Sequence, residues 1–297
     1  MTIVFVHGGV SGTRRGRVTD LAPAVAAGTT AAVALDAVEE ATRVLEDDPA
    51  LNAGYGSVLH KGGGLELDAG IADGRSGAAG GVANVDFAHP VSLARKVLED
   101  TPHVLVAGAG AVALGLSHGL DRLEAASPEQ QDRWERALRE GELDSETFGR
   151  PEHVDTVGAV ALDDRGALAA ASSTGGVFGK LPGRVGDAPV FGAGFYADSN
   201  VAVVATGVGE TFLLTLACRR VAERLARGTD VQTACEEVIE IIQEQSSTLE
   251  AGPGPIAAGL LALDLNGASG MAFAGGSWQV EGPGGPIEPV RVTTAGP

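Results

Sequence analysis

Thr156 stands where a charged, loop-like stretch meets an apolar strand, in His153-Val-Asp-Thr156-Val-Gly-Ala-Val-Ala-Leu-Asp163. A hydroxyl is a weak nucleophile at neutral pH unless a base stands beside it. Alone, such a Thr reads as a strand-starting residue. Three further segments change that reading: Ser173-Thr174-Gly175-Gly176, Lys180-Leu-Pro-Gly-Arg184-Val-Gly-Asp187 and Thr206-Gly207-Val208-Gly209-Glu210. Each also has a plain structural reading. Arg184 and Asp187, three apart, would form a local ion pair, and Thr174 with Gly175 would form a turn. Taken together with Thr156 they read as a catalytic centre.

Such a centre needs a rigid frame, and the flanking pattern supplies one. Residues 157–163 and 167–172 are apolar strands joined by Asp163-Asp164-Arg165-Gly166, a hairpin signal. Residues 201–206 form a third strand. Amphipathic helices follow over 210–227, with Leu213, Leu216, Ala217, Val221 and Leu225 inward, and over 231–245, with Val231, Ala234, Cys235, Val238, Ile241 and Ile242 inward. Residues 259–265 and 268–274 close with a second hairpin across Asn266-Gly267. In the first half, residues 2–6 read as a strand. Thr29 or Thr30 caps a helix ending near Asp47, before Pro49. Short β-like runs at 65–71 and 78–85 precede a helix opening at Pro90. Residues 125–155 are charged and poor in β-formers, which reads as an exposed connection, part of it helical. Strands, helices and strands in this order predict a layered α/β sandwich.

Composition bounds what the frame can serve. The chain has 297 residues, 44 of them Gly, and a formal net charge of −18. An acidic surface repels phosphates, so nucleic acid is not an expected partner. No stretch approaches the ~20 apolar residues of a membrane span. Cys218 and Cys235 are too few for a disulfide framework and fall on apolar helix positions. The opening Met-Thr-Ile-Val-Phe-Val-His lacks a basic n-region, so a cytoplasmic chain is expected. Two motifs invite other chemistry. Gly108-x-Gly110-x-x-Ala113 fits a dinucleotide fingerprint but is followed by no strand ending in an acidic residue within ~20 residues, which favours tight helix packing. His7-Gly8-Gly9 is similar to an esterase oxyanion motif, yet no Gly-x-Ser-x-Gly elbow accompanies it. The six histidines have no zinc-like spacing.

The four segments, in their order and spacing, resemble the plant-type L-asparaginase and isoaspartyl peptidase family of N-terminal nucleophile hydrolases. Leu51-Asn52-Ala53-Gly54-Tyr55-Gly56, Glu66-Leu67-Asp68-Ala69, Asp73-Gly74 and the run from Pro90 to Gly110 extend the resemblance over nearly the whole chain. It implies one four-layer αββα domain, cut autocatalytically between Asp155 and Thr156 into an α subunit (1–155) and a β subunit (156–297). It implies hydrolysis of L-asparagine and β-aspartyl dipeptides by the Thr156 hydroxyl, with the newly freed α-amine, of ordinary pKa ~7.7–8.0, as base. Thr206 and Gly207 would form the oxyanion hole. Arg184 would take the substrate α-carboxylate and Asp187 the α-ammonium, with Gly209 adding backbone contacts. Thr174 would orient Thr156, and Asn52 would reach in from the first half. A loop reaching from about Leu45 to Ser57 would hold a sodium ion through backbone carbonyls, no other cofactor being required. The assembly implied is a dimer of αβ heterodimers.

One departure bears on substrate choice: where the family tends to carry Asn-Thr-x-x-Met, this chain has Ala274-Gly275-Gly276-Ser277-Trp278. A second, His89 in place of an Asn before Pro90, reads as a local capping change. The preferred amide therefore stays open, a glycosylasparaginase-like substrate being the alternative within the fold and a nucleotide-binding module the one outside it.

Overall fold

A computed structural model describes residues 1–11, 19–144, 156–246 and 255–293. The part before Thr156 contributes β1 (Ile3–Ser11), α1 (Ala22–Thr30), α2 (Ala34–Asp47), β2 (Leu67–Asp73), β3 (Ala78–Val85), α3 (Pro90–Asp100), β4 (Leu105–Ala107), α4 (Gly108–Ser117) and α5 (Pro128–Arg139). From Thr156 onward come β5 (Val157–Leu162), β6 (Leu168–Thr174), β7 (Phe195–Ala197), β8 (Val201–Gly207), α6 (Gly209–Thr215), α7 (Ala217–Ala226) and α8 (Val231–Ser246). The chain then closes with β9 (Ala258–Asp264), β10 (Ser269–Ala274), β11 (Ser277–Gly282), β12 (Gly285–Ile287) and β13 (Val290–Arg291).

These strands form two sheets. One runs β12-β11-β1-β5-β6-β2-β3-β4 and the other β13-β10-β9-β8-β7. The first interleaves the two halves of the chain: β5 pairs antiparallel with β1, and β6 with β2. A cut before Thr156 would therefore leave the pieces joined by sheet hydrogen bonds on both flanks of the β5–β6 hairpin.

Alternation along the strands builds the layers, since successive side chains point to opposite faces. Val157, Ala159 and Ala161 of β5 join Val4, Val6 and the inward residues of α1 to α4 in one core. Val160 and Leu162 join Phe5, Leu168, Phe195, Val204, Leu261 and Trp278 in a second core between the sheets. Val201, Val203 and Ala205 of β8 pack beneath α6 to α8 in a third. Helix, sheet, sheet, helix is the resulting order. Because both faces of each sheet are covered, its strands read as near-continuous apolar runs.

Local chemistry fixes the turns. Asp163 accepts hydrogen bonds from the Arg165 and Ala167 amides (both 2.9 Å), with Gly166 at φ +75 closing the hairpin. Asp264 repeats the device with the Asn266 and Ala268 amides (2.9 and 2.8 Å) and Gly267 at φ +81. Asp and Gly suit these positions because a short carboxylate mimics a backbone acceptor and glycine admits positive φ.

Four sequence expectations need correction. The first strand extends from Ile3 to Ser11 through the His7-Gly8-Gly9 segment, with a register shift between His7 and Val10. The helix expected from Thr29 to Asp47 is two helices. Thr29 and Thr30 end α1, their hydroxyls donating to the carbonyls of Val25 and Ala27 (2.7 Å each). The first turn of α2 is met instead by Asp163, whose Oδ2 accepts the Ala34 amide at 3.4 Å. The helix expected over 210–227 breaks at Leu216, which adopts φ +49. The connection expected to be exposed packs part of its helix, α5, onto the body: the Trp134 ring lies against Gly63, and the Arg133 guanidinium lies 3.9 Å from the Phe178 ring centroid.

Cys218 and Cys235 are free and buried. Among the described residues no helix is long and apolar enough to cross a membrane. Gly108–Ala113 opens α4 beside β4, at the far edge of the larger sheet from β5.

Candidate active site

The same alternation aims three hydroxyls into the space between the sheets. On β6, Leu168 and Ala170 face the second sheet, so Thr174 does too. On β8, Ala202 and Val204 set the face that Thr206 continues. On β5, Gly158 faces Val204, a Cβ there coming 3.1 Å from that side chain, and Thr156 lies two residues back on the same side. All three threonines are buried.

Thr156 Oγ1 lies 3.2 Å from Thr174 Oγ1, which also accepts the Gly176 amide at 3.0 Å. Thr206 Oγ1 accepts the Val10 amide from β1 at 3.3 Å. That bond uses an oxygen lone pair and leaves the hydroxyl proton available to another acceptor. Gly207 follows at φ +141, with Ala257 O only 2.4 Å from where a Cβ would stand, so no other residue fits there without backbone movement.

Asn52 stitches the first half to this turn. Its Nδ2 donates to Gly176 O (2.7 Å), its Oδ1 accepts the Val58 amide (3.0 Å) and its carbonyl accepts the Gly175 amide (2.9 Å). It acts on the Thr174 turn from behind.

A charged group gathers at Gly209, two residues after Gly207. Gly209 packs against both Arg184 and Asp187: a Cβ there would stand 2.7 Å from Asp187 Oδ1 and 3.0 Å from Arg184 Nη2. Arg184 does not pair with Asp187, as the local reading had it. Its Nε and Nη2 donate to Glu210 Oε1 (3.0 and 2.8 Å), and Nη2 also reaches Oε2 (2.9 Å). Asp187 is buried with no hydrogen-bond partner at Oδ2. Burial pushes its carboxyl up to about 7, moderated by a backbone hydrogen bond and the nearby Arg184. A buried carboxylate with one oxygen left without a partner, beside a guanidinium, is suited to a small zwitterion.

Four contributors received no role from the sequence. Glu210 carries the fork partner of Arg184 although it sits in one of the quoted motifs. His7, set aside with its glycines, is buried on β1 opposite Gly158, its ring 5.6 Å from that of Trp278. Burial holds it neutral, pushed down to about 3 against a weaker pull from the Thr156 backbone. Extending the alternation of β1 past residue 6 would have put it on the Thr156 side. Asp68 and Lys180 are both buried: the pairing of β2 with β6 sets Asp68 opposite Thr174, and Lys180 follows in the loop after that strand. Asp155, the other side of the expected cleavage site, lies outside the described residues.

Within the span expected to hold sodium, backbone carbonyls crowd Gly54 and Gly56. A Cβ on Gly56 would stand 2.0 Å from Leu51 O, 2.8 Å from Pro49 O and 2.9 Å from Asp48 O, and one on Gly54 would stand 2.3 Å from Glu46 O. Clustered backbone oxygens are the donor set of a hard cation. Leu45 is a helical residue of α2 buried in the first core, and its carbonyl accepts the Asp48 amide at 3.4 Å. Ser57 closes the single 3₁₀ turn Gly54–Gly56, its amide donating to Gly54 O at 3.2 Å. Its side chain turns toward the catalytic side, where a Cβ on Gly175 would come 2.7 Å from Ser57 Cβ. Among the described residues no group of three or more His, Cys, Asp or Glu side chains is arranged for a metal.

The family model described as asparaginase matches residues 30–279. A plant-type L-asparaginase of Pyrobaculum calidifontis is 41% identical over 287 residues, covering 92% of this chain and 94% of its own length. An isoaspartyl peptidase of Salmonella typhimurium is 43% identical over 250 residues, covering 81% of this chain and 77% of its own. An isoaspartyl peptidase of Escherichia coli is 42% identical over 250 residues, covering 81% and 75%.

Proposed function

The chain belongs to the asparaginase family of N-terminal nucleophile hydrolases, and on that premise we propose that it hydrolyses L-asparagine to L-aspartate and ammonia and cleaves β-aspartyl dipeptides. The observation that supports the reading is the 3.2 Å approach of the buried Thr156 and Thr174 hydroxyls, with Thr206 on the β8 face turned to the same inter-sheet space and Arg184 and Asp187 both packed against Gly209.

Activation begins with Thr156. Its hydroxyl attacks the carbonyl of Asp155, the peptide nitrogen leaves as the Thr156 amine, and water opens the resulting ester. The α-amine so released, of ordinary pKa ~7.7–8.0, takes the hydroxyl proton in the next attack. Substrate is held through its α-carboxylate by Arg184 and through its α-ammonium by Asp187, with Gly209 leaving room for both. Thr156 attacks the side-chain amide carbonyl. The negative charge that develops meets the Thr206 hydroxyl and the Gly207 amide. Ammonia or the peptide amine departs with a proton, leaving an aspartyl ester on Thr156 that water then cleaves. Thr174, fixed by Gly176 and through it by Asn52, sets the direction of the nucleophile.

A sodium ion held by backbone carbonyls of the loop from about Leu45 to Ser57 would brace the segment that carries Asn52, in a structural role and with no part in the chemistry. The mature enzyme is a dimer of αβ heterodimers acting on small molecules in the cytoplasm, a setting supported by its two unpaired thiols. The acidic surface supports the absence of a nucleic-acid partner.

The test is maturation itself. Denaturing electrophoresis should resolve two bands near half of the 29.8 kDa precursor, and N-terminal sequencing of the smaller should begin Thr-Val-Gly-Ala. Assays with asparagine, β-aspartyl-leucine and a glycosyl-asparagine rank the substrates. A mature chain beginning elsewhere, or hydrolysis of none of the three, removes the proposal.

A further inference from the structure

Asp68 is a buried carboxylate with no part in the chemistry above. It lies on β2 directly opposite Thr174 of β6, at a register shift in the β2–β3 pairing. One oxygen accepts the Asn84 amide at 2.9 Å, and the other meets no donor at hydrogen-bond geometry. Burial raises its pKa. The charges that act against this are Lys180 first and then Arg184, with the backbone of Gly186 also facing it.

Lys180 is equally buried. Its Nζ donates to Glu66 O at 2.6 Å, and its side chain packs against Gly176, where a Cβ would come within 2.9 Å of both Cδ and Nζ. The neighbouring loop is held from the same side. Glu66 Oε2 accepts the Gly183 amide at 2.7 Å, and Asn84 Nδ2 donates to Gly183 O at 3.4 Å. Thus Glu66, Asp68 and Asn84, all from the first half, grip residues 180–186 of the second.

Burying a charge is costly, and a counter-charge offsets that cost only where the geometry is well made. An apolar pair would fill the same space more cheaply, so the placement of the neighbours indicates what the charges do. Asp68 is tied to the loop through Asn84, whose amide it accepts while the Asn84 side chain holds Gly183 O, and no hydrogen bond joins it to a catalytic hydroxyl.

We infer that Asp68, with Lys180 as its counter-charge, is a positioning residue that fixes the Arg184–Asp187 loop and thereby sets affinity for the α-carboxylate and α-ammonium of the substrate. This rests on the proposed role of Arg184 and Asp187. It predicts a division of labour: disturbing Asp68 loosens the zwitterion grip while Thr156, Thr174 and Thr206 keep their strand positions.

The experiment compares Asp68→Asn, the paired Asp68→Asn/Lys180→Met and Glu66→Gln with Arg184→Ala as reference. KM and kcat are measured on asparagine, with product L-aspartate binding by calorimetry and the extent of cleavage at Thr156. Asp68→Asn should raise KM and the aspartate Kd on the order of tenfold, with kcat within about threefold and cleavage complete. If Asp68→Asn does not accumulate folded, because it leaves Lys180 buried and unpaired, the paired variant decides. Glu66→Gln weakens the exposed Gly183 contact and removes a negative charge near Lys180, and should raise KM about twofold with little change in Tm. A merely structural Asp68 would lower Tm and the active fraction and leave KM and Kd at their original values. That result in the folded variants overturns the inference, provided Arg184→Ala still raises KM. If Arg184→Ala leaves KM unchanged as well, the assigned role of Arg184 falls first.

Discussion

Thr156, Thr174 and Thr206 stand at the ends of three strands, almost wholly buried and uncharged, whereas Arg184 and Asp187 sit on the loop between β6 and β7 and carry opposite charges. The first group is placed by sheet register, which leaves a side chain only two faces to choose between. The second is placed by side chains from elsewhere: Glu210 on the guanidinium, Glu66 and Asn84 on the loop, Asp68 behind it. Register makes the reacting atoms rigid at no electrostatic cost. Charged recognition requires compensation at every step. Kinetics should separate along that line, with strand residues appearing in kcat and loop residues in KM.

The largest effect belongs to the nucleophile. Thr156→Ala should remain a single band on a denaturing gel and lose on the order of 10⁴-fold or more in kcat, the scale for removal of a nucleophile. A cleaved or active Thr156→Ala protein would erase the comparison at its root. Thr174→Ala leaves Thr156 without its hydroxyl neighbour and should cost kcat about 10- to 100-fold with KM nearly constant. Arg184→Ala is the counterpart on the loop. It should raise KM on the order of 100-fold, the scale of a lost charge-assisted carboxylate contact, with processing intact.

Sequence and structure part company along the same line. The apolar runs of β5, β6, β8, β9 and β10 and both hairpins were legible because period-2 patterning and Asp/Gly turn chemistry are local. The helix boundaries at Thr30 and Leu216 were not. One is set by Asp163, 129 residues away, capping Ala34, and the other by a non-glycine residue in left-handed geometry. Among the site residues, motifs singled out Thr156, Arg184 and Asp187. That Arg184 takes Glu210 rather than Asp187 as its partner was invisible, because the two are 26 positions apart with a whole strand pair between them. The sodium span from about Leu45 to Ser57 came from the resemblance alone, since backbone carbonyls carry no side-chain signature in a sequence. His7 was passed over because its two glycines suggested a turn. The backbone continues as a strand, leaving a neutral imidazole beside the nucleophile.

Acid and base titration sharpens the contrast, because the threonines do not ionise and Asp187 does. The unfolded chain ionises Asp187 near its ordinary 3.8, while the folded chain keeps the proton up to about 7. Between those values the folded state binds more protons, so stability falls as pH rises through the window. Glu46, raised to about 8 by burial, acts in the same direction. His7 acts oppositely, since the folded state refuses a proton that the unfolded chain accepts below about 6.5. The difference in Tm between the native protein and Asp187→Asn therefore isolates the carboxylate. It should grow from pH 4 to pH 7, by a few degrees, with the variant the more stable at the upper end. A constant difference across that range would mean that Asp187 is ionised in the folded protein throughout.

The smallest expected effect tests how the loop presents its guanidinium. Glu210 occupies the Nε–Nη2 edge of Arg184 in a fork, which leaves Nη1, beside Gly186, for a substrate carboxylate. Two arrangements are distinguishable. If Glu210 orients the guanidinium, Glu210→Gln weakens the hold and KM rises. If it competes with substrate for the same edge, KM falls. The fork geometry favours orientation, because a planar guanidinium offers five donors on more than one edge and Glu210 engages only part of them. Glu210 is half exposed, and exposed ion pairs contribute about 0.2–1 kcal/mol. The expected rise is therefore about two- to fivefold in KM, with kcat and cleavage at Thr156 unchanged. A drop in kcat instead would mean that the loop and the strand hydroxyls are mechanically coupled. The division between recognition and reaction would then have to be redrawn through Gly209, which touches both Arg184 and Asp187 while standing two places from Gly207.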